Sequence, residues 1–226
     1  MSKQTRFSTT TMTTTTKRLL MRCIATLCVA TAFLVRAEDV DAPIATQLAK
    51  LVADDGAAHD WFGESVAISD GIAVVAARFK DSSSGAVYLF QMSSSDDASS
   101  WTQVAKLKAN DGAVGDSFGR SVAISDGTIV VGAHGDDDKG TTSGSAYIFQ
   151  KSSSNDASSW TQVTKLTADD GQGSDRFGKA VAISDGTIVV GAFQDDDKGS
   201  NSGSVYLFEM SSSNDASSWT QVAKLT

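Results

Sequence analysis

One segment of this chain occurs three times, and that repetition limits the folds the chain can adopt. FGRSVAISDGTIVVGAHGDDDKG begins at Phe118, and FGKAVAISDGTIVVGAFQDDDKG begins 59 residues later at Phe177. A looser copy, FGESVAISDGIAVVAARFKDSSSG, begins at Phe62. A fixed period of this size is typical of repeat architectures, in which each unit completes its core against its neighbours.

Each unit predicts four β-strands. The pair Asp126-Gly127 predicts a two-residue hairpin turn between the first two strands, because such a turn needs positive φ, which Gly adopts freely and Asp tolerates. The fourth strand, WTQVTKL in the second unit, alternates with polar residues, which favours the outermost position. The predicted strands of the second unit are Phe118–Ser125, Thr128–Ala133, Ser145–Gln150 and Trp160–Leu166.

The hairpin sorts the side chains of each unit into a bulky face and a slender face. If Ser125 pairs with Thr128, the alternation of a strand gives each face its own residues. Neither face is charged, and a small four-stranded sheet alone buries too little, so we expect the bulky face of one unit to pack on the slender face of the next. The bulky face holds Phe118, Val122, Ile124, Ile129 and Val131, and the slender face holds Gly119, Ser121, Ala123, Val130 and Gly132.

Radially packed four-stranded sheets describe a β-propeller, and the repeated residues are similar to a known motif. Phe-Gly, then a strand ending Val-Val-Gly-Ala, then GSAYIF or GSVYLF resembles the FG-GAP repeat, over about residues 44–226. That family includes the propeller at the N-terminus of integrin α chains. The resemblance implies an all-β fold of propeller-type blades with ligand contacts at one rim. The repeat-core residues are Phe62, Gly63, Phe118, Gly119, Phe177, Gly178, Trp101, Trp160 and Trp219.

Two features depart from the family pattern. The proline of Gly-Ala-Pro is replaced by Arg78, His134 and Phe193. Calcium-binding members carry a long Asp-rich loop between the first two strands, whereas this chain has only Ser-Asp-Gly there, as in Ser125–Gly127. Such a turn does not supply the six to eight oxygen ligands that Ca²⁺ takes. We therefore expect no cofactor, and the family's metal site is not carried over.

The repeats predict about three blades and one extra strand, Ile44–Val52, ahead of them. A closed propeller needs at least about four blades, so we expect an open or incomplete ring. The alternatives are a fragment of a larger FG-GAP propeller protein, a part of an oligomeric ring, and a structural repeat protein that self-associates through its open edges. The predicted segments are a signal peptide at 1–37, a leading strand and linker at 38–59, and blades at 60–107, 108–166 and 167–226.

The first 37 residues have the parts of a secretory signal peptide. Basic residues precede the apolar run Cys23–Val35, and Ala37 provides a small residue for cleavage before Glu38. We therefore expect a secreted or extracellular protein. An uncleaved membrane anchor and an organelle transit peptide remain as alternatives, because Met1–Thr16 is rich in Ser and Thr and contains no acidic residue. Translation from Met12 or Met21 is a further alternative.

Charge and cysteine content exclude some functions for the chain after this leader. It carries 13 basic and 27 acidic residues, a formal charge of −14. Nucleic acid is not expected as a partner, because phosphates need a basic footprint. The only cysteines, Cys23 and Cys28, lie in the leader, so no disulfide, metal thiolate or cysteine nucleophile is expected in the mature chain.

Acidic loops are predicted to gather at one end of the blades. In a four-stranded meander the Asp-Gly turns and the Ser-rich loops share one end, and the loops between units share the other with those between the second and third strands. Turn chemistry and solubility explain these aspartates in one hypothesis, and binding of Ca²⁺ or a basic partner explains them in the other. This acidic rim consists of Asp54, Asp55, Asp60, Asp111, Asp116, Asp136, Asp137, Asp138, Asp169, Asp170, Asp175, Asp195, Asp196 and Asp197.

No catalytic motif interrupts the repetition. The sequence has no His-Glu-x-x-His and no phosphate-binding loop. We therefore expect a non-catalytic binding module with a protein or glycan ligand, and contact with a membrane only through an uncleaved leader. The alternative is a structural protein that assembles through its open ends.

Overall fold

The three repeats fold into three four-stranded antiparallel sheets, which form an incomplete β-propeller. The computed structural model describes residues 47–94, 97–152, 158–211 and 218–226, so the predicted leader lies outside the described residues. The first blade contains β1 (Val66–Ser69), β2 (Ile72–Ala77), α1 (Lys80–Ser83, a single turn), β3 (Ala86–Ser94) and β4 (Asp97–Leu107). The second contains β5 (Ser121–Ser125), β6 (Thr128–Ala133), β7 (Ser145–Lys151) and β8 (Trp160–Leu166), and the third contains β9 (Phe177–Ser184), β10 (Thr187–Ala192), β11 (Ser204–Met210) and β12 (Trp219–Leu225).

The hairpin between β5 and β6 has the predicted register. Ser125 pairs with Thr128, and the ladder continues to the pair Ser121 and Gly132. Asp126 and Gly127 have φ of 47° and 70°, as a turn with two residues at positive φ requires. The prediction from the Asp-Gly pair is therefore confirmed, and with it the division into two faces.

The Phe-Gly step interrupts the first strand of the second blade, which was predicted to begin at Phe118. β5 begins three residues later because the N–H groups of Gly119 and Arg120 both donate to the Gly132 carbonyl, at 3.1 and 3.0 Å. Gly119 has φ of 92°, a conformation that favours glycine. The irregularity places the Phe118 ring in the core, where it meets the Tyr147 ring edge-on at 5.4 Å.

The blades pack bulky face on slender face, as predicted. Phe118 and Val122 of the second blade lie in one buried cluster with Val74 and Leu89 of the first blade. The same arrangement recurs at the next contact, where Phe177 and Tyr206 of the third blade pack on Val130 and Ile148 of the second. Each blade therefore completes the core of its neighbour, and two of the three buried clusters in the described ranges span two blades.

The predicted leading strand is wrong in its described part, since residues 47–52 form no strand. β4 already occupies the edge of the first sheet, and the described ranges contain no earlier sheet for this segment to join. The segment instead places Leu51 and Ala53 on the bulky face of the first blade, beside Tyr88 and Phe90. It covers only the outer part of that face.

No helix within the described ranges has the length and apolar character needed to cross a membrane.

A matched pair of glycines tests the contact between blades. A Cβ at Gly132 would lie 1.9 Å from the Gly178 carbonyl oxygen of the next blade, whereas a Cβ at the equivalent Gly191 has no heavy atom nearer than 3.7 Å. Gly132→Ala is expected to lower the free energy of unfolding by at least about 2 kcal/mol, because the blades must move apart. Gly191→Ala is expected to change it by less than about 0.5 kcal/mol in dilute solution. Urea unfolding measures both values, and equal losses would contradict the proposed packing.

Candidate functional site

The two predicted sets of acidic loops meet at a lysine from the fourth strand. In the second blade, Lys165 Nζ lies 2.8 Å from Asp111 Oδ2, 2.9 Å from Asp136 Oδ2 and 2.6 Å from Asp138 Oδ2. Asp111 comes from the loop between blades, and the other two come from the loop between β6 and β7. The predicted convergence of these loops is therefore present, with an ammonium group at its centre.

A buried tyrosine completes each of these clusters. Tyr147 Oη donates to Asp136 Oδ2 at 2.9 Å, and Ser145 Oγ donates to Asp136 Oδ1 at 2.9 Å. The Lys165 ammonium also lies 5.3 Å from the centre of the Tyr147 ring, within the range of a cation–π contact. We call Asp111, Asp136, Asp138, Tyr147 and Lys165 the second-blade cluster.

The third blade repeats this arrangement. Lys224 Nζ lies 2.7 Å from Asp170 Oδ2, 3.1 Å from Asp195 Oδ2 and 2.5 Å from Asp197 Oδ2. Tyr206 Oη donates to Asp195 Oδ2 at 2.7 Å. These five residues form the third-blade cluster. In both clusters three carboxylates surround one ammonium group, so an excess of negative charge remains.

The first blade varies the same design because Lys80 stands where the other blades have Asp136 and Asp195. Lys80 Nζ donates to Asp60 Oδ2 at 2.9 Å, and Lys106 Nζ donates to Asp55 Oδ2 at 2.6 Å. Tyr88 Oη donates to the other oxygen of Asp55 at 2.6 Å. The first blade therefore pairs two lysines with its loop carboxylates.

The pKa values follow from these contacts. Hydrogen bonds from Lys106 and then Tyr88 lower the pKa of Asp55 to about 2. Burial alone would raise the pKa of Asp195, but its hydrogen bonds from Tyr206, Ser204 and Lys224 outweigh burial and lower it to about 2. The carboxylates of Asp55 and Asp195 therefore stay charged down to low pH.

Three rim aspartates each make a hydrogen bond within their own loop. The carboxylates of Asp60, Asp116 and Asp175 each accept the backbone N–H three residues earlier, at 2.7, 2.6 and 2.7 Å. Burial raises the pKa of Asp116 and of Asp175, whereas the hydrogen bond from Lys80 lowers the pKa of Asp60. All three are buried and fix the bend of a loop between blades.

The remaining rim aspartates are also in turns. Asp137 Oδ1 accepts the Thr142 N–H at 2.7 Å, and Asp196 Oδ1 accepts the Asn201 N–H at 2.6 Å. The backbone N–H groups of Asp54 and Asp169 donate to glutamine side chains of neighbouring fourth strands, at 3.0 and 3.1 Å. The carboxylate contacts of Asp137 and Asp196 agree with the hypothesis that turn chemistry selects aspartate, whereas the contacts of Asp54 and Asp169 use only the backbone.

One group of rim carboxylates has the spacing of a metal site. Ligand oxygens of Asp111, Asp136 and Asp138 lie within 4.8 Å of one another. The Lys165 ammonium already contacts all three, so a cation bound by them would have to displace it. Calcium binding at the rim remains a prediction, and in the second and third blades it requires the lysine to leave.

The end of the blades that carries the acidic rim is called the loop end. Equivalent positions there have the same backbone conformation but different side chains. Trp61, Ser117 and Arg176 precede the three Phe-Gly steps with φ of 56°, 58° and 58°. Trp61 is exposed and meets the Phe79 ring edge-on at 4.5 Å. A second such position holds Arg78, His134 and Phe193, and Phe193 is also exposed. The loop end therefore combines a repeated arrangement of backbone and clusters, the frame, with side chains that differ between blades, the tips.

Basic side chains lie close together at the loop end, near the first strands of the blades. Glu64 is paired with both Arg78 and Arg120, at 2.5 Å each. Burial, and then the nearby charges led by Lys179 and Arg120, lower the pKa of His134 to about 4, so this histidine is neutral at pH 7. The loop end is thus acidic beside the third and fourth strands and basic beside the first.

A model of the FG-GAP repeat matches at residues 45–90, 101–149 and 160–208. The chain belongs to the FG-GAP repeat family. Each match in the second and third positions begins at the fourth strand of one blade and ends in the third strand of the next. A search of curated proteins returned no match. FG-GAP repeats in a propeller-like fold suggest a protein-binding module.

The FG-GAP core residues have structural roles. Trp160 and Trp219 are buried in the clusters between blades, and Trp101 is half-buried on the bulky face of the first. The sequence prediction missed the cluster lysines and tyrosines. Their spacing carried the signal, because they repeat every 59 residues like the tryptophans: Lys106, Lys165 and Lys224, and Tyr88, Tyr147 and Tyr206.

Removing the central ammonium of the second-blade cluster tests its role. Lys165→Ala leaves three facing carboxylates without their cation, and we expect the free energy of unfolding to fall by about 3 kcal/mol. We expect millimolar Ca²⁺ to recover part of the loss, because the freed oxygens suit a hard cation. Lys108→Ala is the control, since its pair with Asp81 is exposed, and it should cost about 0.5 kcal/mol. Equal losses in both variants, measured by urea unfolding, would show that the cluster has no special role.

Two isosteric substitutions test the opposite pKa shifts. The folded pKa of Asp195 is below the ordinary value, so its charge stabilises the fold above pH 4 and this contribution is lost as the pH falls towards 2. Asp195→Asn should therefore cost about 2 kcal/mol at pH 7 and progressively less below pH 4.

Asp116→Asn should not destabilise the protein at pH 7, because burial disfavours the charge and the amide oxygen still accepts the Ala113 N–H. Any gain should shrink as the pH falls through the raised pKa of Asp116, where the native carboxyl becomes neutral. Chemical unfolding across this pH range compares both variants with the native chain. A loss for Asp116→Asn as large as that for Asp195→Asn would contradict the assignment.

Proposed function

We propose that this FG-GAP protein is a non-catalytic, extracellular protein-binding module that contacts its partner through the loop end of its blades. The observation that carries the proposal is the combination of one repeated frame with tip residues that differ between blades, of which Trp61 and Phe193 are exposed. Function in rigid scaffolds is commonly placed on variable loops held by constant elements.

The frame supports binding because it fixes the loops before a partner arrives. In the second and third blades, Lys165 and Lys224 tie the loop between blades to the loop between the second and third strands. Tyr147 and Tyr206 hold the same carboxylates from the core side. Loops held in this way lose little conformational entropy on binding, which favours affinity.

The tips supply the residue types that dominate protein interfaces. Trp61 and Phe193 are 54% and 48% exposed, and the guanidinium of Arg78 lies 4.0 Å from the centre of the Phe79 ring. Aromatic residues and arginine are enriched among interface residues with large energetic contributions. The excess negative charge of the second-blade and third-blade clusters would attract a basic region of a protein partner.

Support for an extracellular location comes from the sequence of the leader. The basic flank, the apolar run Cys23–Val35 and the small residue Ala37 are the parts of a secretory signal. Support for a non-catalytic role comes from the engagement of the loop-end carboxylates, which hold loops through lysines, tyrosines and backbone N–H groups.

The experiment compares tip variants that borrow residues from other blades. Trp61→Ser introduces the residue found at the equivalent Ser117, and Phe193→His introduces the one found at His134, so neither should disturb folding. The full-length chain is expressed with secretion, and the product in the medium should begin at or near Glu38. It is then immobilised, and proteins captured from extracellular medium of the source cells are quantified by mass spectrometry.

A defined set of captured proteins should be lost from the double tip variant. The control is Asp126→Asn, which changes an exposed residue at the opposite end of the second blade and should keep the set. Capture that is the same for the native chain and the tip variant would exclude the loop end as the binding surface.

A further inference from the structure

We propose that two copies of this chain join head to tail, the bulky face of the first blade of each packing on the slender face of the third blade of the other. The contact repeats the two contacts that already join blades within the chain. It goes beyond the binding of a partner at the loop end, because it uses different surfaces.

The bulky face of the first blade is open beside its first strand. Val66 and Ile68 are 64% and 66% exposed. At the equivalent position in the second blade, Val122 is 7% exposed because the first blade covers it. Within the described ranges this face is covered by the leading segment alone. Leu51 and Ala53 take the place on it that Leu107 and Ala109 take on the second blade, so β12 of the other copy has to displace this segment.

The slender face of the third blade is open in the complementary way. Leu225 is 58% exposed, whereas the equivalent Leu166 of the second blade is 4% exposed beneath the third. Along β11 the burial alternates, so that Val205 and Leu207 are half-buried while their neighbours on the bulky face are buried. The equivalent residue of Leu207 in the second blade, Ile148, is fully buried.

Two glycines mark the missing contact at the backbone. A Cβ at Gly144 would lie 2.0 Å from the Phe177 carbonyl oxygen of the next blade. At the equivalent Gly203 the nearest atoms belong to Phe193 of the same blade, at 3.3 Å or more. Gly63, whose equivalents in the later blades press on the preceding blade, has no heavy atom within 4 Å of a Cβ. The bulky face of the first blade and the slender face of the third therefore both have the glycines that allow close backbone contact, but neither face makes that contact within the chain.

Charge also favours the pairing. Within the chain, Glu64 of the first blade pairs with Arg120, the residue after Phe-Gly in the second. The equivalent residue of the third blade is Lys179, which would face Glu64 of the second copy. Ala180 stands where Ser65 Oγ accepts the Val122 N–H within the chain, so the new contact lacks that hydrogen bond.

Two copies provide a closed ring of reasonable size. Each chain contributes three blades, and two chains joined at both ends contribute six, within the four to eight blades that propellers usually have. Head-to-tail contacts form a ring when their rotation closes, and closure removes both open faces at once. Apart from the leading segment around Leu51, nothing in the described ranges covers either face.

Sedimentation velocity of the full-length chain, up to about 100 µM, tests the association. We expect the native chain to form a dimer, and we expect Ile68→Glu on the bulky face and Gly191→Ala on the slender face each to give a monomer. Gly191→Ala is a sharp probe because it leaves a single chain unstrained but would strike Gly63 of the other copy. Val114→Glu is the control, since Val114 is 76% exposed and lies on neither face, and it should remain dimeric.

A cross-link tests the orientation. In a Cys23→Ser and Cys28→Ser background, Val66→Cys with Ala180→Cys should give a covalent dimer under mild oxidation with copper phenanthroline. Either single cysteine should give none, because head-to-tail contact brings together different positions. A native chain that stays monomeric at every concentration, as it would if residues 1–46 or another partner covered either face, overturns the proposal. A cross-linked dimer from a single-cysteine variant also overturns it.

Discussion

The structure depends on the close approach of the Phe-Gly backbone of one blade to a glycine of the blade before it. At Gly85 and Gly144 a Cβ would lie 2.0 Å from the carbonyl oxygen of the incoming Phe118 or Phe177, so no other residue fits without moving the blades apart. This approach places the phenylalanine ring in edge-on contact with a tyrosine and a second phenylalanine of its own blade. Hydrophobic burial supplies the energy of this contact, and the glycines allow it to form.

The close approach of the blades also determines how near their loops lie to one another at the loop end. A loop between blades and a loop within the next blade come close enough for one lysine of a fourth strand to contact carboxylates from both. In the second blade that lysine is Lys165, which contacts Asp111 and Asp136. The lysine ammonium group thus holds the carboxylates together, as a bound metal ion does in metal-binding loops. A lysine is part of the chain, so the loops are fixed without a ligand, and the tips beside them are free to differ.

The sequence predicted the parts of the fold that depend on short-range pattern. The Asp126-Gly127 turn set the register of its hairpin, and alternation along Thr128–Ala133 set the faces that pack between blades. The start of β5 was missed, because the interruption at Gly119 arises from two N–H groups sharing one distant carbonyl. The rim was predicted as a gathering of aspartates, but the lysines among them were not, since a lysine in an alternating outer strand gives no local sign of its partners.

The near-identity of the second and third blades has a consequence for how such a gene changes length. Recombination between two almost identical copies removes or inserts one whole period, whether the cut falls at the Phe-Gly step or at the tryptophan that opens the fourth strand. Because every junction joins the same two faces, the shortened or lengthened product needs no new packing solution. Blade number in such a chain can therefore change by whole units while every contact between blades keeps the same form.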